Sequence, residues 1–343
     1  MKKINKNKIK TWFVTGASSG LGAELCRQLV KRDYNVIAVS RRVPDIQGAL
    51  CLSVDVTQPD TIQKAVDTGM EYFGGIDVLA NFAGISCSIT FEEETAENME
   101  QIINTNFYGT YNTCKALIKY FRENNKGTII NCSSVIGLVP RIGGSAYSSS
   151  KHAIEGLTSV LQLETRKINT RVMCVEPGLY ATEIGKGRWE TTAYKEYEFS
   201  HNQIIKVPRP YRNDIIVAMN SIIDTAENLK MPRRLMLGKD CILRVKYEIG
   251  QIAYDIKYSS KISRKIARVK NGSRQFTIFD ELAELAKESI QNIFSFKNEY
   301  QSNKKHKVIS LFGIKMKFKT SEIRTVVRER VIPLLVRNYK LAV

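Results

Sequence analysis

Residues 11–22 read TWFVTGASSGLG. An apolar run ends in glycine, and LGAELCRQLVKR (21–32) continues with apolar residues at helical spacing. The stretch predicts a buried strand, a tight turn and a helix that starts inside the turn. Glycine at 16, 20 and 22 lets the backbone bend sharply and come close to a ligand where a Cβ would collide. The helix N-terminus then offers unpaired N–H groups and a positive dipole end to a phosphate. A glycine-rich turn alone is a weak signal. Here it has the strand before it and the helix after it that a dinucleotide-binding fingerprint requires.

Working outward, the alternation continues. YNVIAVS (34–40), ALCLSVD (49–55), IDVLANFAG (76–84), GTIINCSS (127–134) and TRVMCVEPG (170–178) read as strands, and RRLMLGKD (233–240) as a short last strand and turn. TIQKAVDTGMEYF (61–73), 96–124, 146–168 and 211–227 carry helical patterns. Near-continuous apolar strands alternating with helices imply a parallel sheet covered on both faces, a Rossmann-type doubly wound α/β fold of about seven strands. Residues 183–207 break the rhythm with four large aromatics, Trp189, Tyr194, Tyr197 and Phe199, and no clean period.

The composition divides the chain into a basic segment 1–10, a domain 11–258 and an extension 259–343. Residues 1–10 carry five lysines and no acid, 257–343 carry 20 Lys+Arg against 7 Asp+Glu, and 11–256 hold 27 of each sign. The net charge of +18 therefore belongs to the ends. This argues against a nucleic-acid groove in the central domain and leaves the tails for some anionic surface, including peripheral contact with a membrane. Within the extension, FTIFDELAELAKESIQNIF (276–294) reads as an amphipathic helix and KVISLFGIKMKFKT (307–320) as a strand pair, so an α or α+β extension is expected. The basic N-terminus leads straight into WFVTGASSG with no apolar stretch between, so no export signal is read. Seven cysteines form no C-x-x-C pair and fit reduced core residues of a cytoplasmic protein.

Two further positions bear on a cofactor. The second strand ends at Ser40, followed by Arg41 and Arg42 and no acid. An acid at this point would receive a ribose 2′-OH, whereas arginine accommodates a 2′-phosphate, so NADP(H) is favoured over NAD(H) and Arg41 is the residue expected to choose. Asp55, ending the third strand, suits either an adenine amino group or a cap on the next helix.

At SAYSSSKHA (145–153) the sequence resembles the classical short-chain dehydrogenase/reductase family, with a basic C-terminal extension added. TGASSGLG (15–22) stands for that family's T-G-x-x-x-G-x-G, NFAG (81–84) for N-N-A-G, and NTNFYG (104–109) holds the helix asparagine. SAYSSSK carries Y-x-x-x-K, and EPGLYAT (176–182) the P-G motif. The resemblance covers about residues 11–250, in order. It implies a catalytic tetrad of Asn106, Ser134, Tyr147 and Lys151, with Ser133 the fallback for Ser134. It also implies cofactor contacts from Gly16, Ser18, Ser19, Gly20, Leu21, Gly22, Ser40, Arg41, Asp55, Val56, Asn81, Ala83, Gly84, Tyr147, Lys151, Pro177, Gly178 and Thr182. Phe82 departs from the family's second asparagine and removes a polar contact there. The irregular stretch 183–207 falls where the family has its substrate lid, and helices 96–124 and 146–168 match those that pair subunits, so a homodimer or homotetramer is implied.

The residue types suit the chemistry. A free tyrosine titrates near ~10, too high to exchange protons readily at neutral pH. A lysine one helical turn on can stabilise the phenolate, making Tyr147 a general acid in reduction or base in oxidation. Ser134 would donate to the substrate oxygen. By resemblance, Lys151 would also hold the nicotinamide ribose and Asn106 would support a proton relay. With three histidines and no paired carboxylates at ligand spacing, no metal site is read. The expected function is hydride transfer between NADP(H) and a small-molecule carbonyl or alcohol. The alternatives are a non-catalytic NADP(H)-binding regulator or scaffold, and a reductase acting on a surface-polysaccharide precursor.

Overall fold

The computed structural model describes residues 9–182, 184, 194, 196, 213–266, 294–301, 304–311 and 314–318, the backbone alone after 260. Seven strands form one sheet: β1 (Thr11–Thr15), β2 (Asn35–Ser40), β3 (Leu50–Ser53), β4 (Val78–Asn81), β5 (Gly127–Cys132), β6 (Thr170–Pro177) and β7 (Arg234–Leu237). All pair in parallel, in the order β3-β2-β1-β4-β5-β6-β7. The order reverses between β1 and β4, and crevices at such switch points bind ligands beyond the strand C-termini.

Strand alternation fills both faces. Trp12 and Val14 of β1 join a core with Leu25 and Leu29 of α1 (Gly20–Lys31). Phe13 points the other way, to Ile62 of α2 (Pro59–Phe73). Every residue of β1 is buried, so each large side chain there contributes roughly 1.5–3 kcal/mol of apolar burial. The expected helix over 96–124 forms as α3 (Ala96–Ile103), a π-helical turn at Asn104–Tyr108, and α4 (Gly109–Glu123). That over 146–168 forms as α5 (Ser145–Glu164) and a closing 3-10 turn. α6 (Ile215–Glu227) starts where the Asp214 carboxylate accepts from Ile216 N and Val217 N at 2.8 and 3.1 Å.

The chain divides into two compact units, Met1–Glu248 and Ile249–Val343. The division falls inside helix α7 (Lys239–Ile266), which runs through the change of composition at 258. In the second unit, β8 (Phe294–Gln301), β9 (Lys304–Leu311) and β10 (Ile314–Phe318) form an antiparallel sheet in the order β10-β9-β8. The strand pair read at 307–320 is β9 with β10. The helix read at 276–294 lies outside the described residues except for Phe294, which begins β8. The stretch 183–207 also lies outside them, apart from Ile184, Tyr194 and Glu196. Among the described residues no helix is long and apolar enough to cross a membrane. No cysteine is bonded to another, and six of the seven are buried. Burial pushes the Cys132 and Cys114 thiols up to about 11 and about 12, away from thiolate chemistry.

Candidate active site

A cleft of about 840 Å³ opens at the C-terminal ends of the strands. At one wall lies the glycine turn. Gly16 and Gly20 have φ of +69° and +59°, a region that favours glycine. A Cβ on Gly16 would lie 2.6 Å from the Phe82 carbonyl oxygen, and one on Gly22 would lie 2.5 Å from that of Gly16. These glycines let the first turn, the first helix and the NFAG loop pack backbone to backbone. Thr15 Oγ1 completes the join by accepting from Phe82 N at 3.1 Å and Ala83 N at 3.0 Å. The contact is made by backbone at position 82, so phenylalanine serves there, and its ring packs half-buried against the core. Helix α1 begins after Ser19 with no side-chain cap and no acid in its first turn. Ser18, Ser19, Gly20, Leu21 and Gly22 at this helix start all line the cleft, and an uncapped helix N-terminus there fits a dinucleotide's phosphates.

At the ends of β2 and β3, the cleft is lined by Ser40, Arg41, Asp55 and Val56. One oxygen of Asp55 is committed to the turn into α2, accepting from Thr57 N at 2.9 Å and Thr57 Oγ1 at 2.8 Å. The backbone carbonyl of Arg41, a residue of the cleft lining, is held by Ser53 Oγ at 2.9 Å.

Tyr147 and Lys151 line the same cleft, one helical turn apart on α5, only 8% and 3% exposed. The Lys151 ammonium lies 5.7 Å from the centre of the tyrosine ring and donates to Cys132 O at 2.9 Å. The small residues between them let α5 sit close to the strand ends, and Ser150 takes a hydrogen bond from Asn106 Nδ2 at 2.9 Å. Asn106 is wholly buried in the π-helical turn. Its amide grips Ile85, accepting from the backbone N at 2.8 Å and donating to the O at 2.9 Å. A Cβ on Gly84 would stand 3.2 Å from Asn106 Oδ1 and 3.6 Å from Lys151 Nζ, so Gly84 is the space between them.

The two serines at the end of β5 differ. Ser133 Oγ donates to the Lys151 carbonyl at 3.2 Å and so spends its hydrogen on the protein. Ser134 Oγ accepts from Ile136 N at 3.2 Å, which leaves its own hydrogen for another acceptor. A second tyrosine lines the cleft, Tyr180. Burial first, then the negative charge of Asp240, pushes its phenol up to about 12, so it stays protonated at neutral pH.

Pro177, Gly178 and Thr182 line the wall after β6, and the Thr182 side chain lies 3.4 Å from where a Gly20 Cβ would be. Ala83 and Gly84 line the floor. Asn81 is not among the residues that line the cleft. Its side chain is buried in a polar chain through the sheet, donating to Asn131 Oδ1 at 2.9 Å and accepting from Thr113 Oγ1 at 2.7 Å. Its job is to tie β4 to β5 and α4.

The fold also joins groups that sequence reading did not connect. Glu155 on α5 and Cys174 and Glu176 on β6 place donor atoms within 4.8 Å of one another, all buried. Arg234 Nε stands 3.1 Å from Glu155 and 3.6 Å from Glu176 and supplies the counter-charge. Burial, then the neighbouring Glu155, pushes the Glu176 carboxyl up to about 8. Glu94 accepts from Ser145 Oγ at 2.9 Å and anchors its loop to the start of α5.

The family model described as short chain dehydrogenase matches residues 10–193, more than half of the chain. This protein is a short-chain dehydrogenase/reductase. The chain is 36% identical over 177 residues to a 3-ketodihydrosphingosine reductase of Bacteroides thetaiotaomicron, covering 51% of this chain and 66% of that one. It is 33% identical over 182 residues to carbonyl reductase family member 4 of Xenopus laevis, covering 51% and 77%. Among solved structures, a short-chain dehydrogenase from Streptomyces avermitilis superposes with a TM-score of 0.68 at 30% identity, covering 76% of this chain and 99% of that one. ElxO, solved with NADP bound, superposes with a TM-score of 0.57 at 25% identity, covering 67% and 97%. This dehydrogenase/reductase fold thus accounts for the first unit of the chain.

Proposed function

We propose that the protein is an NADP(H)-dependent carbonyl reductase or alcohol dehydrogenase in which Tyr147 exchanges the proton on the substrate oxygen. The reading rests on one juxtaposition: Tyr147 and Lys151 lie buried together in the cleft that also holds the glycine turn. NADPH, when bound, supplies the hydride. Ser134 donates its free hydrogen to the substrate carbonyl oxygen, which orients the carbonyl and stabilises charge developing there. Tyr147 delivers its proton to that oxygen, completing the alcohol. The Lys151 ammonium holds the negative charge left on the phenol, and Cys132 O, the carbonyl that the ammonium bonds, fixes it in place. Asn106 and Gly84 keep open the approach through which the phenolate is reprotonated. Arg41 receives the 2′-phosphate that distinguishes NADP(H) from NAD(H).

Pairing of subunits through α4 and α5 fits the exposed apolar residues there, Tyr111, Val160 and Leu163. The basic extension suits an anionic surface. To test the reading, NADPH binding is followed by its fluorescence, and its oxidation is followed against a carbonyl panel that includes 3-ketodihydrosphingosine, the compound named in the Bacteroides relative. Binding with turnover of at least one carbonyl is expected. Tight binding with no turnover across the panel would instead favour a cofactor-binding regulator.

A further inference from the structure

Asp240, in the first turn of α7, belongs to no part of the catalytic machinery described above, yet the wall of the cleft is hung on it. Strand β6 ends at Pro177, and the next residues, Gly178, Leu179, Tyr180 and Thr182, line the cleft without a strand to hold them. One oxygen of Asp240 accepts from Leu179 N at 2.9 Å. The other accepts from Asn213 Nδ2 at 2.8 Å. Asn213 in turn donates to Leu179 O from both its backbone N and its side chain, each at 3.1 Å. It also pairs with Tyr180 in an isolated bridge. Residues 179–180 and 213, the two ends of a long stretch of chain, are thus bound to each other and to one carboxylate.

The backbone around this carboxylate is shaped to admit it. A Cβ on Gly178 would fall 2.4 Å from Asp240 Oδ1, and one on Gly238 would fall 2.6 Å from the same oxygen and 2.4 Å from Asn213 Nδ2. Gly238 also adopts φ of +112°. A carboxylate accepting from amide N–H groups makes charge-assisted bonds, stronger than ordinary ones. Its seat in the first turn of a helix favours the negative charge further.

We propose that Asp240 is a positioning residue for the reaction: it fixes the 178–182 wall against the nicotinamide end of the cleft and pins together both ends of the segment that follows. The inference rests on the reading of the cleft as a cofactor site. It makes a split prediction. The end lined by Arg41 and Asp55, beyond β2 and β3, is separated from this wall after β6 by the strands between.

The test compares wild type, D240A, D240N and the donor–acceptor swap D240N/N213D. Readouts are affinity for 2′,5′-ADP, affinity for NADPH, and kcat and KM for a carbonyl the wild type reduces. D240A should leave 2′,5′-ADP affinity unchanged while kcat/KM falls about 10- to 100-fold, the cost of misplacing a reacting geometry. D240N, which keeps one acceptor, should fall less, and the swap should recover part of the loss. If D240A and D240N match wild type in kcat/KM, Asp240 has no such role. If D240A loses 2′,5′-ADP affinity in the same proportion, Asp240 supports the fold and not the wall, and the proposal is overturned. A wild type that neither binds NADPH nor turns over would overturn the reading of the cleft, and the inference with it.

Discussion

The ammonium of Lys151 stands 5.7 Å from the ring centre of Tyr147, and both side chains are buried at the C-terminal edge of the sheet. An ammonium is taken out of water only where something compensates it. Here the carbonyl of Cys132 takes one hydrogen, and the other two remain for the cleft. The position is costly to maintain for packing alone and suits the proton transfer proposed for Tyr147.

The glycines predict a graded response. Gly16→Ala combines a left-handed backbone with a Cβ 2.6 Å from a carbonyl oxygen, and should cost about 1–3 kcal/mol of stability along with cofactor affinity. Gly84→Ala meets only Asn106 Oδ1 at 3.2 Å and Lys151 Nζ at 3.6 Å. It should keep most of the stability and lose turnover, because what yields is the Asn106 amide, whereas Lys151 Nζ stands at ordinary contact distance. Thermal melts beside initial rates separate the two, and equal loss of stability in both would contradict this account.

Arg41 predicts cofactor choice. Arg41→Ala should weaken NADPH about 10- to 100-fold and leave NADH within about twofold, since only the 2′-phosphate is lost as a partner. Fluorescence titration with both cofactors reads this directly. A wild type that binds the two equally would remove Arg41 from the site.

Much of this was legible because it depends on short-range spacing. A strand–glycine–helix unit, and a tyrosine and lysine one helical turn apart, are local patterns that the fold only has to present. What was not legible depends on distant chain segments meeting. Asp240 touches residues 179 and 213, and nothing around position 240 marks it as a partner of either. Glu155 and Glu176 are a carboxylate pair only after α5 packs on β6. Asn81 matched a cofactor motif, but whether an amide at a strand end turns to the cleft or to its neighbours depends on Asn131 and Thr113. The two serines, of which the resemblance preferred Ser134, differ in bonds that only the fold reveals: Ser133 Oγ donates to Lys151 O, whereas Ser134 Oγ accepts from Ile136 N.

The buried Glu176 predicts a pH dependence of stability. Its folded value is raised from 4.5 to about 8, so the fold holds a proton that the unfolded chain releases. The stabilising share of this group is complete below about 4.5 and is lost as pH rises through about 8. Glu176→Gln keeps a neutral side chain at all pH, so its melting temperature should decline less than that of wild type between these limits. Glu155, Cys174 and Arg234 face the same group and stay in place in both proteins. Parallel curves for the two proteins would show that Glu176 is not protonated in the fold.

The central claim is that Tyr147 moves the proton. It is tested most directly by the rate of NADPH oxidation under single-turnover conditions in wild type and Tyr147→Phe, with a carbonyl that the wild type reduces. The account predicts a rate lower by about 10²- to 10⁴-fold, with NADPH affinity preserved within about twofold. A Tyr147→Phe protein that reduces the carbonyl at the wild-type rate would contradict it.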